Sequence, residues 1–145
     1  MQDRPDLKEL IDSVRRFLEE EIVPAVGDQR LRFRARVAAN VLAVAARERQ
    51  LEEGLLMDER RRLVSLLTAA SVPAVGPEGA PRPFAGLRRE VEELNGELVR
   101  RIRTGAIDAA PGSLAWKHVR EVAIEKLRIA NPAHLERREK NRPLR

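Results

Sequence analysis

From Gln29 to Gln50 the chain reads QRLRFRARVAANVLAVAARERQ, with neither proline nor glycine. At about 1.5 Å per residue that is room for roughly six helical turns, with no residue to break the ladder. Phe33, Val37, Val41 and Val44 recur at four-four-three spacing and share one face, with Leu31 and Ala45 at its edges. The stripe predicts the central buried helix of a small bundle. Two features on it exceed the needs of packing. Arg32 and Arg36 stand one turn apart, as do Arg30 and Arg34, and Asn40 sits beside the stripe among alanines.

The flanking segments follow the same period. Leu7, Leu10, Ile11, Val14, Phe17, Leu18 and Ile22 predict a first helix over Asp3–Ile22, with Pro5 in its first turn. Asp28 is placed to cap the central helix, which is expected to end near Glu53-Gly54. A third helix, Met57–Ala70, is expected to turn Leu63, Leu66 and Leu67 inward and Arg60-Arg61-Arg62 to solvent. Ser71–Pro83 is too rich in proline and glycine for a helix and reads as a long loop.

Phe84, Leu87, Val91, Leu94, Leu98, Val99 and Ile102 predict a fourth helix, Phe84–Thr104, running through Gly96 to Gly105 at C′. A close helix approach or mere tolerance would explain Gly96. Ser113 can cap a fifth helix, Leu114–Ala130, whose apolar line is Trp116, Val119, Val122, Ala123, Leu127 and Ala130. Asn131-Pro132 ends it. The expected architecture is all-α: about five helices in a mostly antiparallel bundle over residues 1–132, then a basic tail at 133–145 that can fray, extend the helix system after a break or fold onto a partner.

Composition sets the function classes. No cysteine means no disulfide and no thiolate metal site. No apolar run approaches 18 residues and the start is charged, so a cytoplasmic chain is expected, without a membrane partner. The +5 net charge is uneven: residues 1–29 carry four basic and eight acidic groups, residues 30–50 six and one. That polarity can steer a partner or an anion.

Catalytic patterns are missing. His118 and His134 lie sixteen apart without an HExxH arrangement, and His118 reads as a polar residue on a helix flank. GPEGAPRP matches no phosphate-binding loop, and the carboxylates lie in runs typical of a solvated face. No catalytic residue, metal site or cofactor is expected. Nucleic acid is disfavoured by the lack of a zinc finger, RNP aromatics or a helix-turn-helix pair. A binding module remains. Arg32 and Arg36 can hold carboxylate or phosphate groups, or simply answer the acidic first helix. Asn40 can meet a partner or bond a loop backbone, and Trp116 can anchor an interface or fill the core.

DRPDLKELIDSVRRFLEEEIVPAV, RLRFRARVAANVLAVAARE, LNGELVRRIRTG and HVREVAIEKLRIANPAHL together resemble a family of small bacterial helical proteins. Its members are commonly encoded beside aminoglycoside-phosphotransferase-like kinases and acyl-CoA dehydrogenases. One relative is the accessory subunit of a kinase that phosphorylates a 4-hydroxyacyl-CoA. The family's most recognisable positions fall here on Arg32, Phe33, Arg36, Val37, Ala38, Asn40, Leu94, Asn95, Arg101, Ile102, Gly105, Asn131 and Pro132. The resemblance adds Arg101 to Arg32, Arg36, Asn40 and Trp116 as partner or anion-binding candidates. It implies a non-catalytic subunit supporting a kinase on hydroxyacyl-CoA, with acyl-CoA contact possible in the complex. The alternatives are a stand-alone acyl-CoA or phosphorylated-ligand binding module and an enzyme of unknown class.

Overall fold

The computed structural model describes residues 4–69 and 84–141. The loop expected at Ser71–Pro83 and the inward turn expected of Phe84 lie outside what is described. The described residues are mostly helical, without a strand among them. Helix α1, Leu7–Phe17, passes through a π turn, Leu18–Ile22, into a last short turn, α2, Val23–Ala25. Then follow α3, Gln29–Ala69; α4, Phe84–Arg103; α5, Leu114–Ala130; and α6, Pro132–Lys140.

Two boundaries differ from expectation. The break expected at Glu53-Gly54 does not occur, because α3 runs unbroken for 41 residues. A lone glycine with neither proline nor a left-handed cap beside it removes only about 1 kcal/mol of helix propensity, too little to stop a helix that packs on both sides of it. A Cβ at Gly54 would meet nothing within 4 Å. Gly54→Ala is therefore expected to raise stability by about 0.5–1 kcal/mol, read from urea unfolding. A destabilising result would mean that the helix bends there. Gly96 is equally open, so tolerance rather than close helix approach accounts for it. The second difference is the start of α1, which follows Pro5 and an Asp6 cap at Leu7 rather than beginning at Asp3 with Pro5 in its first turn. The tail resumes as α6 directly after Asn131, the extension after a break that was one of its expected courses.

The chain divides into two compact units. The first comprises residues 1–52 with Ile129–Asn131, and the second residues 53–128 with 132–145. In the first, Asp28 caps α3 as expected, its Oδ1 accepting from the Leu31 N–H at 2.7 Å. Arg47 donates to the Ile129 carbonyl at 2.7 Å, satisfying one of the free acceptors at the end of α5.

The second unit holds the main core: Leu63, Leu66 and Leu67 of α3, Leu87, Val91, Leu94 and Leu98 of α4, and Ala115 of α5. Glu59 pairs with Asn95, and Leu67 with Arg101, so α4 runs beside α3 in the same direction. Arg62 reaches Glu125 while Leu66 and Leu114 share a wall, so α5 returns against α3. A Schellman closure turns α4: Gly105 takes φ +76°, its N–H bonds to the Ile102 carbonyl, and the Ala106 N–H bonds to that of Arg101. The arginine band is only partly solvated, since Arg60 pairs with Glu90 at 2.9 Å and Arg62 with Glu125 at 2.6 Å. Val99, expected inward, is exposed.

Candidate partner-binding site

The buried face of α3 in the first unit is not the phenylalanine–valine stripe. Ala39 and Ala46 are buried, with Ala35, Leu42 and Ala43 half-buried around them. Phe33, Val37 and Val41 point the other way and are 65%, 44% and 58% exposed. Small side chains let a neighbouring backbone come close, so the alanine side does the internal packing and the bulkier side is left free. In projection at 3.6 residues per turn, Arg30 falls between Val37 and Val41, which is the sequence signal that this sector is no core. Arg30, Arg34 and Arg36 are exposed and form no ion pair among the described residues. Glu19 of the acidic run is held instead by Arg15 of its own helix at 2.6 Å.

Helix α1 repeats the theme. A capping box starts it: Asp6 Oδ1 accepts from the Glu9 N–H at 2.7 Å, and Glu9 Oε2 accepts from the Asp6 N–H at 2.9 Å. Leu7, Leu10, Val14 and Phe17 then form one exposed face, and no residue of the helix is buried. A helix this short is marginal in water without tertiary packing, and apolar patches of this kind on soluble chains mark interaction surfaces.

In the second unit, α5 is turned inside out relative to its expected line. Its buried residues are Ala115, His118 and Glu125, while Leu114, Trp116 and Val119 are exposed. The Arg62–Glu125 pair explains the turn, because a carboxylate that finds a guanidinium at 2.6 Å can occupy the inner face. Ser113 Oγ accepts from the Trp116 N–H at 3.1 Å, the expected cap.

The residues singled out in the sequence therefore separate. Arg36 and Asn40 are exposed on α3 near the outward stripe. Arg32 is half-buried, its Nε and Nη2 donating to the Val26 carbonyl at 3.0 and 2.8 Å, which fixes the turn before α3. Arg101, only 5% exposed, donates to Glu97 at 2.5 Å and to the Leu67 carbonyl at 2.8 Å. Trp116 is 41% exposed, with the Arg120 guanidinium 5.9 Å from its ring centre.

His118 is a correction: it is 5% exposed, not a flank residue. Burial pushes its pKa below the ordinary 6.5, Glu59 opposes that, and Arg62 reinforces it. The fold thus holds the neutral ring, whereas the unfolded chain takes up a proton near 6.5. Stability is expected to be retained above that value and lost as pH falls through it toward the lower folded pKa. Melting temperature should fall between about pH 7.5 and 5.5, and less so in His118→Phe. Equal slopes in the two proteins would remove His118 as the cause.

Among the described residues no group of three or more His, Asp or Glu is placed to hold a metal ion, and no helix is long and apolar enough to cross a membrane. Comparison with curated proteins and with solved structures gave no match. Residues 24–134 match the family described as "Domain of unknown function (DUF6285)", a span that takes in α3, α4 and α5 whole. The chain belongs to the DUF6285 family.

Proposed function

We propose that the chain is a non-catalytic accessory subunit that binds and supports an aminoglycoside-phosphotransferase-like kinase acting on a hydroxyacyl-CoA. The observation that carries this reading is the outward Phe33–Val37–Val41 stripe on α3, set beside the unpaired Arg30, Arg34 and Arg36. Apolar anchors with a guanidinium rim are the composition of a protein interface. The matching surface on the kinase is an apolar patch edged by carboxylates. The resemblance, which covers nearly the whole length and is weakest in the proline-rich loop, supplies the kinase class.

In this reading the kinase holds ATP, magnesium and the catalytic aspartates. This chain acts by mass action on the folded kinase or by helping bound substrate reach a productive pose. A cytoplasmic setting follows from such a partner. The test is capture from native lysate at modest salt, identification by mass spectrometry, and reconstitution with the recovered kinase. The expected result is hydroxyacyl-CoA phosphorylation that depends on this chain. A recovered kinase fully active alone would overturn the reading, and so would a self-associated chain that recovers no kinase.

A further inference from the structure

The partner reading makes no use of the cleft between α3 and α5 in the second unit. Its volume is about 550 Å³, within the range of small-molecule sites. Leu66, Ala69 and Leu114 form an apolar wall, and Arg62, Lys117 and His118 a polar one. His118 is 95% buried by its 5% exposure, and neither of its ring nitrogens has a hydrogen-bond partner. The Nε of Arg62 is also buried without one, although its Nη2 is engaged by Glu125. Three unpaired buried nitrogens on two cleft residues are an unusual concentration in a folded protein, where such groups are nearly always satisfied.

We propose that this cleft binds a small monocarboxylate with an apolar body, the head meeting His118 and Arg62 and the body lying on Leu66, Ala69 and Leu114. A planar carboxylate suits a guanidinium edge and an imidazole N–H together. Local charge is near balance, so the single charge of the head is met by the unpaired donors themselves and not by a surplus of cations. Arg61, Arg62 and Lys117 on the lining are offset by Glu121, also on the lining, by Glu125 on Arg62, and by Glu59, whose charge acts on His118. A dianion such as phosphate gains little there. Arg61 and Lys117 are exposed, and side chains of that kind change rotamer rapidly, which gives the head a way in.

Proton NMR of the full chain tests this directly, because His118 and His134 are its only histidines and the second is an internal control. Sodium hexanoate, hexanamide and inorganic phosphate serve as probes. Hexanoate is expected to shift the His118 ring signals saturably and raise their titration midpoint, leaving His134 in place. His118→Phe should weaken hexanoate at least about tenfold. Leu114→Asp, at an exposed wall position, should do the same without touching the core. Equal response to hexanamide, response to phosphate in place of hexanoate, parallel drift of both histidines, or an unmoved His118 would each overturn the proposal. None of these outcomes depends on the kinase.

Discussion

Replacing Phe33 and Val37 together by aspartate is expected to lower affinity for the proposed kinase partner at least about a hundredfold while leaving helicity and melting temperature close to wild type. Both residues are largely open to solvent, 65% and 44% exposed and outside the buried core, so the isolated fold loses little packing when they go. In the complex the same positions would be central anchors. Two buried carboxylates there, with no guaranteed partner, oppose association by several kcal/mol on the scale of about 2 kcal/mol or more for each hot-spot residue. Calorimetry against the recovered kinase reads the affinity, and circular dichroism reads the fold. Unchanged affinity would remove the α3 stripe as the docking surface. A collapsed melt would mean that the stripe packs internally.

The same geometry divides the arginines as probes. Arg36→Glu is a clean charge reversal, since the residue has no intramolecular ion pair among the described residues. It should weaken association mainly through a slower on-rate, and the gap from wild type should narrow at high salt as the charges are screened. Arg32→Glu is not clean. It removes two bonds to the Val26 carbonyl and so disturbs the turn that aims α3.

Much of the fold was legible because its signals are local. The caps at Asp28 and Ser113, the closure at Gly105 and the Leu87–Val91–Leu94–Leu98 line all rest on residues within a few positions of one another. Which side of an amphipathic helix faces in is a different kind of fact. Helix α3 carries two candidate faces, one of phenylalanine and valine and one of alanine. Periodicity finds both but does not rank them, because the ranking depends on how closely another backbone approaches. Helix α5 was misread for a related reason. Glu125 is buried because Arg62 lies opposite, 63 residues earlier in the chain, and no local window contains that pairing. His118 shares the inner face three residues after Ala115 and four before Val122, polar among apolar, so the helix looked inverted in sequence. Continuity through Gly54 was hidden by weighting one glycine as a stop without asking for the cap that a stop requires.

Arg101→Ala is expected to lower unfolding free energy by about 2–3 kcal/mol, a larger change than any single exposed arginine of α3 should produce. The Leu67 carbonyl belongs to the last turn of α3, where acceptors have no helical N–H of their own. The Arg101 guanidinium supplies that bond at 2.8 Å and places a positive charge at the negative end of the helix dipole. Its Nε meanwhile holds Glu97, whose pKa is lowered by hydrogen bonds from Arg100 and then Arg101. A lowered folded pKa means that this stabilisation is fully present above the ordinary value of 4.5 and is lost as pH falls below it through the lower folded pKa. Arg101→Lys should recover less than half of the loss, because one ammonium cannot serve two acceptors on separate helices as the planar fork does. Urea unfolding at pH 7 and through a series of acid steps to about pH 2.5 separates the parts: the carbonyl bond persists in acid, whereas the Glu97 contribution fades as pH falls below 4.5 toward the lower folded pKa. A wild-type-like Arg101→Ala would show that Arg101 is dispensable to the fold and return it to the partner-binding surface. The expected loss instead makes Arg101 the clasp between the end of α3 and the end of α4.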